Sequence, residues 1–267
     1  MTIAWISDCH LDRAAPDAVE SFLDTLRSFA PESVILTGDL SNASRLVADL
    51  ERIADAARAP LHLVLGNHDY YGGSIGAVRD AVLALAERRT DIRWLPPAGP
   101  QRLNPETLLV GVDGWADGRH GDPLRTPLIL NDDRLIAEVA AQRGRTAKLV
   151  VKRILADADA SRLATLLGRA SDAAARRIVV ATHVPPFVEA LAPGSRESHP
   201  DWHPLLVSGA TGTVLRAFAN AHPTIELEVL AGHAHRACQV SILANLKVRV
   251  AGARYGAPRF ATLPATG

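Results

Sequence analysis

Short apolar runs alternate with amphipathic segments along the first quarter of the chain. The apolar runs occupy residues 3–7, 33–37 and 61–65, and the segments 17–29 and 44–58 between them carry apolar side chains at helical spacing. Runs as short as these, bounded by glycine or a polar residue, are typical of buried strands in a covered sheet. Right-handed crossovers would make the three strands parallel. The pattern therefore predicts a βαβαβ unit.

The same two patterns continue to the end of the chain and predict a single α/β domain over residues 1–267. The remaining predicted elements are helices at 74–88, 131–175 and 211–221, strands at 107–113, 178–183 and 225–231, loops at 114–127 and 193–203, and an alternating tail at 239–260. The segment 131–175 has the spacing of two or three amphipathic helices, and Asn131, Asp132 and Asp133 suit a helix start. We expect the tail to complete a second sheet.

Side chains capable of chemistry follow each of the first three strands. They are Asp8-Cys9-His10, Asp39 and Asn67-His68-Asp69. Because parallel strands align their carboxyl ends at one edge of a sheet, we expect these side chains to converge there. In an extended segment Asp8 and His10 would project to the same face, with Cys9 opposite and pointing into the core.

Two later strands end in the same way. His183 follows the strand at 178–183, and the strand at 225–231 is followed by Gly232-His233-Ala234-His235, an i, i+2 pair of imidazoles on one face. Imidazoles, carboxylates and an amide oxygen, with no thiolate required, suit divalent Mn, Fe or Zn. A carboxylate with two free oxygens can bridge two ions about 3.5–4 Å apart, the spacing of two-metal hydrolytic sites.

Composition and charge exclude several classes of protein. The 29 basic and 29 acidic residues cancel, so no overall field attracts nucleic acid or a membrane. Two cysteines do not make a disulfide framework, and no apolar run approaches the roughly 20 residues of a membrane span. Asp8 interrupts the first apolar run, so no signal peptide fits before it. We therefore expect a soluble, cytoplasmic protein.

Five blocks of the sequence resemble, in order, the signature of calcineurin-like metallophosphoesterases. They are Asp8-x-His10, Gly38-Asp39, Gly66-Asn67-His68-Asp69, His183 and Gly232-His233-x-His235. The resemblance implies a four-layer αββα sandwich around a binuclear site, with a helical insertion around 131–177. It also implies in-line attack on phosphorus by a hydroxide that bridges two divalent ions, Mn, Fe or Zn, of which we favour Mn for work in vitro.

The same resemblance assigns a role to each residue of the set. Asp8, His10 and His235 would hold one ion, Asn67, His183 and His233 would hold the other, and Asp39 would bridge them. His68 would contact the phosphate and assist the leaving oxygen as an acid, together with Asp39 forming the catalytic pair. Asp69 would either orient His68 or stabilise the turn.

One position separates this chain from two branches of the family. Three residues after Asp39, purple acid phosphatases carry a metal-binding tyrosine and protein Ser/Thr phosphatases carry an aspartate, whereas this chain has Asn42. The order of strands and blocks resembles most the small bacterial phosphodiesterases. We therefore expect a phosphate-ester substrate, with a diester favoured over a monoester.

Other interpretations remain open at this point. Between residues 131 and 177 there are ten Arg or Lys and six Asp or Glu, which suits a solvated helical face or a surface for nucleic acid. A nuclease, a phosphomonoesterase and a non-catalytic scaffold are thus the alternatives, and the oligomeric state is open. Packing and substrate contact are both open for His120, His199, His203, Trp202 and Arg254.

Overall fold

Helices and strands alternate through the computed structural model, which describes residues 2–173 and 175–263. The helices are α1 (Pro16–Phe29), α2 (Leu46–Ala57), α3 (Ile75–Arg88), α4 (Leu95–Ala98), α5 (Asp132–Leu135), α6 (Ala137–Ala140), α7 (Gly144–Asp172), α8 (His203–Leu206) and α9 (Gly209–Ala221). The strands are β1 (Ile3–Ile6), β2 (Ser33–Thr37), β3 (Leu61–Val64), β4 (Ile92–Trp94), β5 (Gln101–Arg102), β6 (Thr107–Gly111), β7 (Arg177–Ala181), β8 (Glu226–Ala231), β9 (Cys238–Leu243), β10 (Leu246–Val250) and β11 (Phe260–Leu263).

The first sheet has the strand order β11-β1-β2-β3-β4. Strands β1 to β4 are parallel, as the βαβαβ pattern predicts. The last strand, β11, pairs antiparallel with β1, with Ile3 opposite Leu263. The predicted tail, 239–260, does complete the second sheet through β9 and β10, and only its last residue, Phe260, belongs to β11 in the first sheet. The Phe260 ring packs against the rings of Phe22 and Phe29 in α1, at 6.3 and 5.1 Å between centroids, which gives β11 an apolar contact beside the first sheet.

The second sheet has the strand order β5-β6-β7-β8-β10-β9. Strands β6, β7, β8 and β10 are parallel, and β5 and β9 close the two edges antiparallel. The carboxyl ends of β7 and β8, where His183 and His233 follow, therefore lie at one edge of this sheet.

Three apolar cores separate four layers of secondary structure. Alternate residues of each buried strand face opposite ways, so that Ile6 and Leu36 pack against the helices outside the first sheet, while Trp5 and Ile35 face the second sheet. The third core lies between the second sheet and the helices α7 and α9. The αββα sandwich expected from the sequence is confirmed.

The helical segment between β6 and β7 has two different parts. Its first part, α5, α6 and the beginning of α7, adds Ile136, Val139 and Ala156 to the core of the first sheet. The second half of α7 covers the second sheet through Leu163 and Leu167. Only the first part is thus an insertion beyond the four layers. No helix in the described ranges is both long enough and apolar enough to cross a membrane.

Candidate metal centre

Two overlapping groups of ligand-capable side chains lie where the carboxyl ends of the two sheets meet. We name the first cluster Asp8, His10, Asp39 and His235, and the second cluster Asp39, His183 and His233. Within each cluster, one donor atom per residue lies within 4.8 Å of every other donor atom. Asn67 lies beside the second cluster, with its Oδ1 3.0 Å from His183 Nε2. Asp39 is the residue that both clusters share.

The main chain carrying these ligands is strained. Among the described residues, Asp8, His10, Asp39, His233 and His235 have positive φ, between 42° and 65°. The expectation of an extended segment at Asp8 to His10 is therefore wrong, although both side chains do reach the same cluster. Left-handed backbone costs about 1 kcal/mol or more for a residue with a Cβ, and such strain is commonly concentrated at functional sites.

Glycine precedes several of the ligands because the loops approach one another too closely for a side chain. A Cβ on Gly66 would collide with Asp39 Oδ1 and with the Asp39 main chain, and one on Gly232 would collide with Asp8 Oδ2. The two glycines therefore let neighbouring loops present their ligands within one cluster.

In the first cluster the imidazoles face each other and the carboxylates. His10 Nε2 lies 3.1 Å from His235 Nε2, and His235 Nε2 lies 3.2 Å from Asp8 Oδ1. Burial lowers the pKa of His10 to about 4 despite the charge of Asp39, so His10 is neutral at pH 7. Within the described chain, the buried His10 Nδ1 has no hydrogen-bond partner.

In the second cluster the imidazoles are fixed by main-chain carbonyls. His183 Nδ1 lies 2.8 Å from the carbonyl oxygen of Thr37, and His233 Nε2 lies 2.9 Å from that of Leu205. Since a carbonyl oxygen can only accept, each of these nitrogens carries the proton, and the other ring nitrogen is left for the cluster. Burial acts to lower the pKa of His183, but the charge of Asp39 raises it to about 10. In the metal-free protein the second nitrogen of His183 therefore also carries a proton at pH 7, which a cation would displace on binding.

The donor set fits divalent cations. Asp39 is buried, which by itself raises a carboxyl pKa, yet the imidazoles of His183 and His68 hold the pKa of Asp39 well below its usual range. Two buried carboxylates, Asp8 and Asp39, therefore face neutral imidazoles such as His10 and His233, whose pKa burial lowers to about 4. Neutral imidazole and carboxylate are the forms that bind transition-metal ions.

Asp69 has the structural role that the sequence left as an alternative. Its two oxygens accept the backbone N–H groups of Asp39, Leu40, Ser41 and Gly66 at 2.8–3.1 Å. The carboxylate thereby ties the loop after β2 to the loop after β3. Burial, and then the neighbouring Asp39, raise the pKa of Asp69 to about 7.

Asp113, after β6, ties together two further loops. Its carboxylate accepts the N–H of Leu65 at 2.9 Å and bonds to Arg79 at 3.0 Å, while its carbonyl oxygen accepts the N–H of His183 at 2.8 Å. The sequence pattern ended the strand at Asp113 without giving this residue a role. Its position after a strand, like that of Asp39, is the signal that could have found it.

Asp132 reaches the site from α5 and was predicted only as part of a helix start. Its Oδ1 accepts hydrogen bonds from Asn67 Nδ2 at 2.8 Å and from the Tyr71 hydroxyl at 2.6 Å. Tyr71 Oη also lies 3.0 Å from Asn67 Nδ2. No sequence signal short of the tertiary fold pairs residues this far apart.

A cavity of about 370 Å³ opens above the two clusters. It is lined by Asp39, Asn67, His68, His233 and His235 together with Arg13, Tyr71, Ile129, Leu130, Asn131, Arg196, Glu197, Trp202, Leu206, Ala234 and Tyr255. His68 Nε2 lies 4.0 Å from Asp39 Oδ2, and the His68 ring packs 4.2 Å from that of Tyr71.

The residues whose roles the sequence left open fall into those that line the cavity and those that do not. Trp202 lines the cavity, whereas His120, His199, His203 and Arg254 are not among the described residues that do. His203 Nε2 instead bonds to the Ser198 carbonyl oxygen at 3.0 Å. Tyr255, next to Arg254, packs its ring 4.5 Å from that of His10. Cys9 lies in the core as expected, and burial raises the pKa of its thiol to about 12.

Comparison with known proteins decides the family. Residues 1–237 match the family model described as calcineurin-like phosphoesterase. The chain belongs to the calcineurin-like phosphoesterase family. The resemblance seen in the five sequence blocks is thereby confirmed.

Several curated relatives and solved structures are similar to this calcineurin-like phosphoesterase. A UDP-2,3-diacylglucosamine hydrolase of Stenotrophomonas maltophilia is 32% identical over 138 residues, 47% of this chain and 48% of the relative. One from Xanthomonas campestris is 34% identical over 91 residues, 30% of this chain and 37% of the relative. The chain thus matches less than half the length of these relatives.

Solved structures resemble the chain over nearly its whole length. The phosphopantetheinyl hydrolase of Mycobacterium tuberculosis has a TM-score of 0.64 at 15% identity, and the likeness covers 97% of this chain and 95% of the other. A dimetal phosphatase from Danio rerio has a TM-score of 0.57 at 14% identity, covering 94% and 87%. At these identities the likeness concerns the fold.

Proposed function

We propose that the protein hydrolyses phosphodiesters with the help of two divalent cations, for which Mn²⁺ is the favoured choice in vitro. The observation that carries the proposal is that Asp39 belongs to both clusters, so one carboxylate can contact two cations. Asp8, His10 and His235 would hold one cation, and Asn67, His183 and His233 would hold the other. Bound there, the cations would supply Lewis-acid neutralisation of the phosphoryl oxygens and an activated water.

The chain's own residues would position the substrate and move a proton. His68 lines the cavity 4.0 Å from Asp39 Oδ2, where its imidazole can donate a proton to the leaving oxygen. The guanidinium groups of Arg13 and Arg196 line the same cavity and can bind further anionic oxygens of the substrate.

Two features favour a diester over a monoester. Separate loops line the cavity with an arginine beside an aromatic ring: Arg196 lies 4.8 Å from the Trp202 ring, and Arg13 lies 5.8 Å from the Tyr255 ring. Walls on two loops can receive the organic groups on both sides of a phosphodiester. The relatives' name, UDP-2,3-diacylglucosamine hydrolase, also supports a substrate with organic groups on both sides of its phosphates, since UDP in that name denotes a diphosphate between a nucleoside and a sugar.

The basic surplus around α7, which is the argument for a nuclease, is a weaker argument once the contacts of these residues are considered. Much of the basic surplus around α7 is bonded within the protein: Lys152 pairs with Asp133 at 2.6 Å, and Arg153 donates to the carbonyl oxygen of Asp117 at 3.0 Å. We therefore expect little cleavage of single-stranded DNA and little dependence of diester hydrolysis on salt. Steeply salt-dependent cleavage of DNA would favour the nuclease.

The test compares bis-p-nitrophenyl phosphate with p-nitrophenyl phosphate as substrates of Mn²⁺-loaded protein. We expect a higher kcat/KM for the diester, and its loss in Asp39→Ala, because that change removes the ligand shared by the clusters. Asp24→Ala is the matched control, since this exposed aspartate in α1 lies outside the site. Full activity of Asp39→Ala would contradict the proposal, and a preference for the monoester would replace the diesterase with a phosphatase.

Two further predictions from the sequence belong to this proposal. We propose a cytoplasmic location, which cell fractionation would test, and a single domain over residues 1–267, which would unfold in one cooperative transition.

A further inference from the structure

We infer that Asp132 is a positioning residue: it holds the side-chain amide of Asn67 in the one orientation that presents an oxygen to the second cluster. The inference rests on the proposed function, because it concerns how the proposed cation site is built. Asp132 would touch neither cation nor substrate, and would act through Asn67.

The orientation of an amide is decided by its partners. The nitrogen of Asn67 can only donate, and its oxygen can only accept. Asp132 Oδ1, a carboxylate oxygen 2.8 Å from Asn67 Nδ2, can only accept from the nitrogen. The Asn67 oxygen therefore points the other way, to within 3.0 Å of His183 Nε2. Turned over, the amide would present its N–H groups to the cation.

Tyr71 strengthens the same orientation. Its hydroxyl proton is donated to Asp132 Oδ1 at 2.6 Å, so that a lone pair of the hydroxyl remains for Asn67 Nδ2 at 3.0 Å. Asp132 Oδ1 and Tyr71 Oη lie side by side as seen from Asn67 Nδ2, so that one N–H of the amide is shared between them. Asp132 thus orients the Asn67 amide in two ways: it accepts a hydrogen bond from the amide, and it orients the Tyr71 hydroxyl that also accepts from the amide.

The short helices of the insertion hold Asp132 in place. Its neighbours are bonded to the turn that follows Asn67: Gly72 donates its N–H to the Leu135 carbonyl oxygen at 2.9 Å, and Ala137 donates to that of Gly73 at 3.0 Å. Asp132 itself is buried, at 5% exposure, so water does not compete for its oxygen. The insertion is therefore a structural part of the second cluster as well as a wall of the cavity.

The experiment titrates metal-free protein with Mn²⁺ and resolves two binding steps by calorimetry. His10→Ala and His183→Ala assign the steps to the first and second cluster. Asp132→Ala removes the acceptor, whereas Asp132→Asn keeps an oxygen that can accept both hydrogen bonds. Asp133→Ala is the matched control, because this neighbour in α5 pairs with Lys152 away from Asn67.

We expect Asp132→Ala to weaken Mn²⁺ binding at the second cluster about 10- to 100-fold, the range for partners that orient a metal ligand. Binding at the first cluster should change less than about twofold, which also shows that the variant is folded. Asp132→Asn and Asp133→Ala should bind both equivalents of Mn²⁺ as the wild type does. Tyr71→Phe should bind Mn²⁺ at the second cluster with an affinity between those of the wild type and Asp132→Ala.

Three results would overturn the inference: unchanged binding by Asp132→Ala, equal weakening at both clusters, or a loss in Asp132→Asn as large as in Asp132→Ala. Binding does not depend on turnover, so the inference can hold even if no phosphodiester is cleaved. Wild-type protein that binds fewer than two equivalents would instead overturn the proposed binuclear centre, and this inference with it.

Discussion

The two clusters share Asp39 but differ in how their remaining ligands are held. In the second cluster both imidazoles have an outer partner, the Thr37 carbonyl for His183 and the Leu205 carbonyl for His233, and the neighbouring Asn67 has Asp132. In the first cluster Asp8 accepts hydrogen bonds from the Ser7 hydroxyl and from the His233 N–H, but the imidazoles contact one another, and within the described residues the Nδ1 atom of His10 is unpartnered. The second cluster is therefore the more preorganised of the two.

The loop after β1, with Asp8 and His10, and the loop after β3, with Asn67, are also held differently. The loop after β1 is joined to the loop after β2 by main-chain bonds, such as Asp8 N–H to the Gly38 carbonyl at 3.1 Å. The loop after β3 depends on the buried carboxylates of Asp69 and Asp113. Since outer partners raise metal affinity, we expect the second cluster to bind its cation more tightly and the first to exchange more readily.

The largest expected effect comes from deleting one ligand in each cluster. His183→Ala should remove the tighter Mn²⁺ equivalent and His10→Ala the weaker one, and each should lower diester turnover by more than about 100-fold, the upper range for outer-shell changes. Calorimetry and kinetics on the same preparations measure both. The reverse order of affinities would contradict the comparison.

Asp69→Ala should lower the free energy of unfolding more than the loss of any single contact in the first cluster. It would leave several buried N–H groups without an acceptor, and we expect the free energy of unfolding to fall by about 3–5 kcal/mol. Urea denaturation followed by circular dichroism measures this. Asp24→Ala, an exposed position, should leave the stability unchanged. A loss below about 1 kcal/mol would show that the loops hold without the carboxylate.

The buried carboxyl group of Asp159 should make the free energy of unfolding depend on pH. Burial, followed by the nearby Asp113, raises the pKa of Asp159 to about 7 from its ordinary value of 3.8, and the carboxylate accepts the N–H of Gly114 at 2.9 Å. The folded state therefore keeps a proton that the unfolded state has released, so this group's contribution to stability is lost as pH rises from about 4 to 7.

The contribution of Asp159 to the slope of the free energy of unfolding against pH should not exceed about 1.4 kcal/mol per pH unit, the value for one proton. Asp159→Asn keeps an acceptor for Gly114 and should remove only this group's part of the slope, because Asp69, whose pKa is also raised to about 7, titrates over the same range. The control Asp157→Asn, at a half-exposed position, should retain the full slope. Denaturation curves of metal-free protein at pH 5 and pH 8 measure the difference. An identical pH dependence in Asp159→Asn and wild type would exclude this assignment.

The smallest effect is expected at the cavity wall. Trp202→Ala removes aromatic surface beside Arg196, and we expect KM for the diester to rise a few-fold with kcat nearly unchanged, since such contacts bind ground and transition states alike. A fall in kcat with constant KM would place this ring nearer the reacting atoms.

Sequence patterns predict the convergence of the cluster side chains better than they predict the contacts that support them. The cluster residues follow directly after apolar strands, and parallel topology alone brings such positions to one edge, as it does for Asp8 and Asp39. The left-handed backbone at these residues was missed because strand alternation assumes extended geometry. The roles of Asp113 and Asp132 depend on contacts between distant segments, which local patterns do not contain. The same holds for β11, whose partner strand is the first in the chain.

The most direct test is anomalous diffraction from crystals soaked in Mn²⁺. The account predicts two manganese peaks about 3.5–4 Å apart, the spacing of two-metal sites, with the Asp39 carboxylate in contact with both. One peak should lie beside His10 and the other beside Asn67, with the second the more fully occupied at low Mn²⁺. A single peak, or two peaks that do not share Asp39, would contradict the binuclear centre.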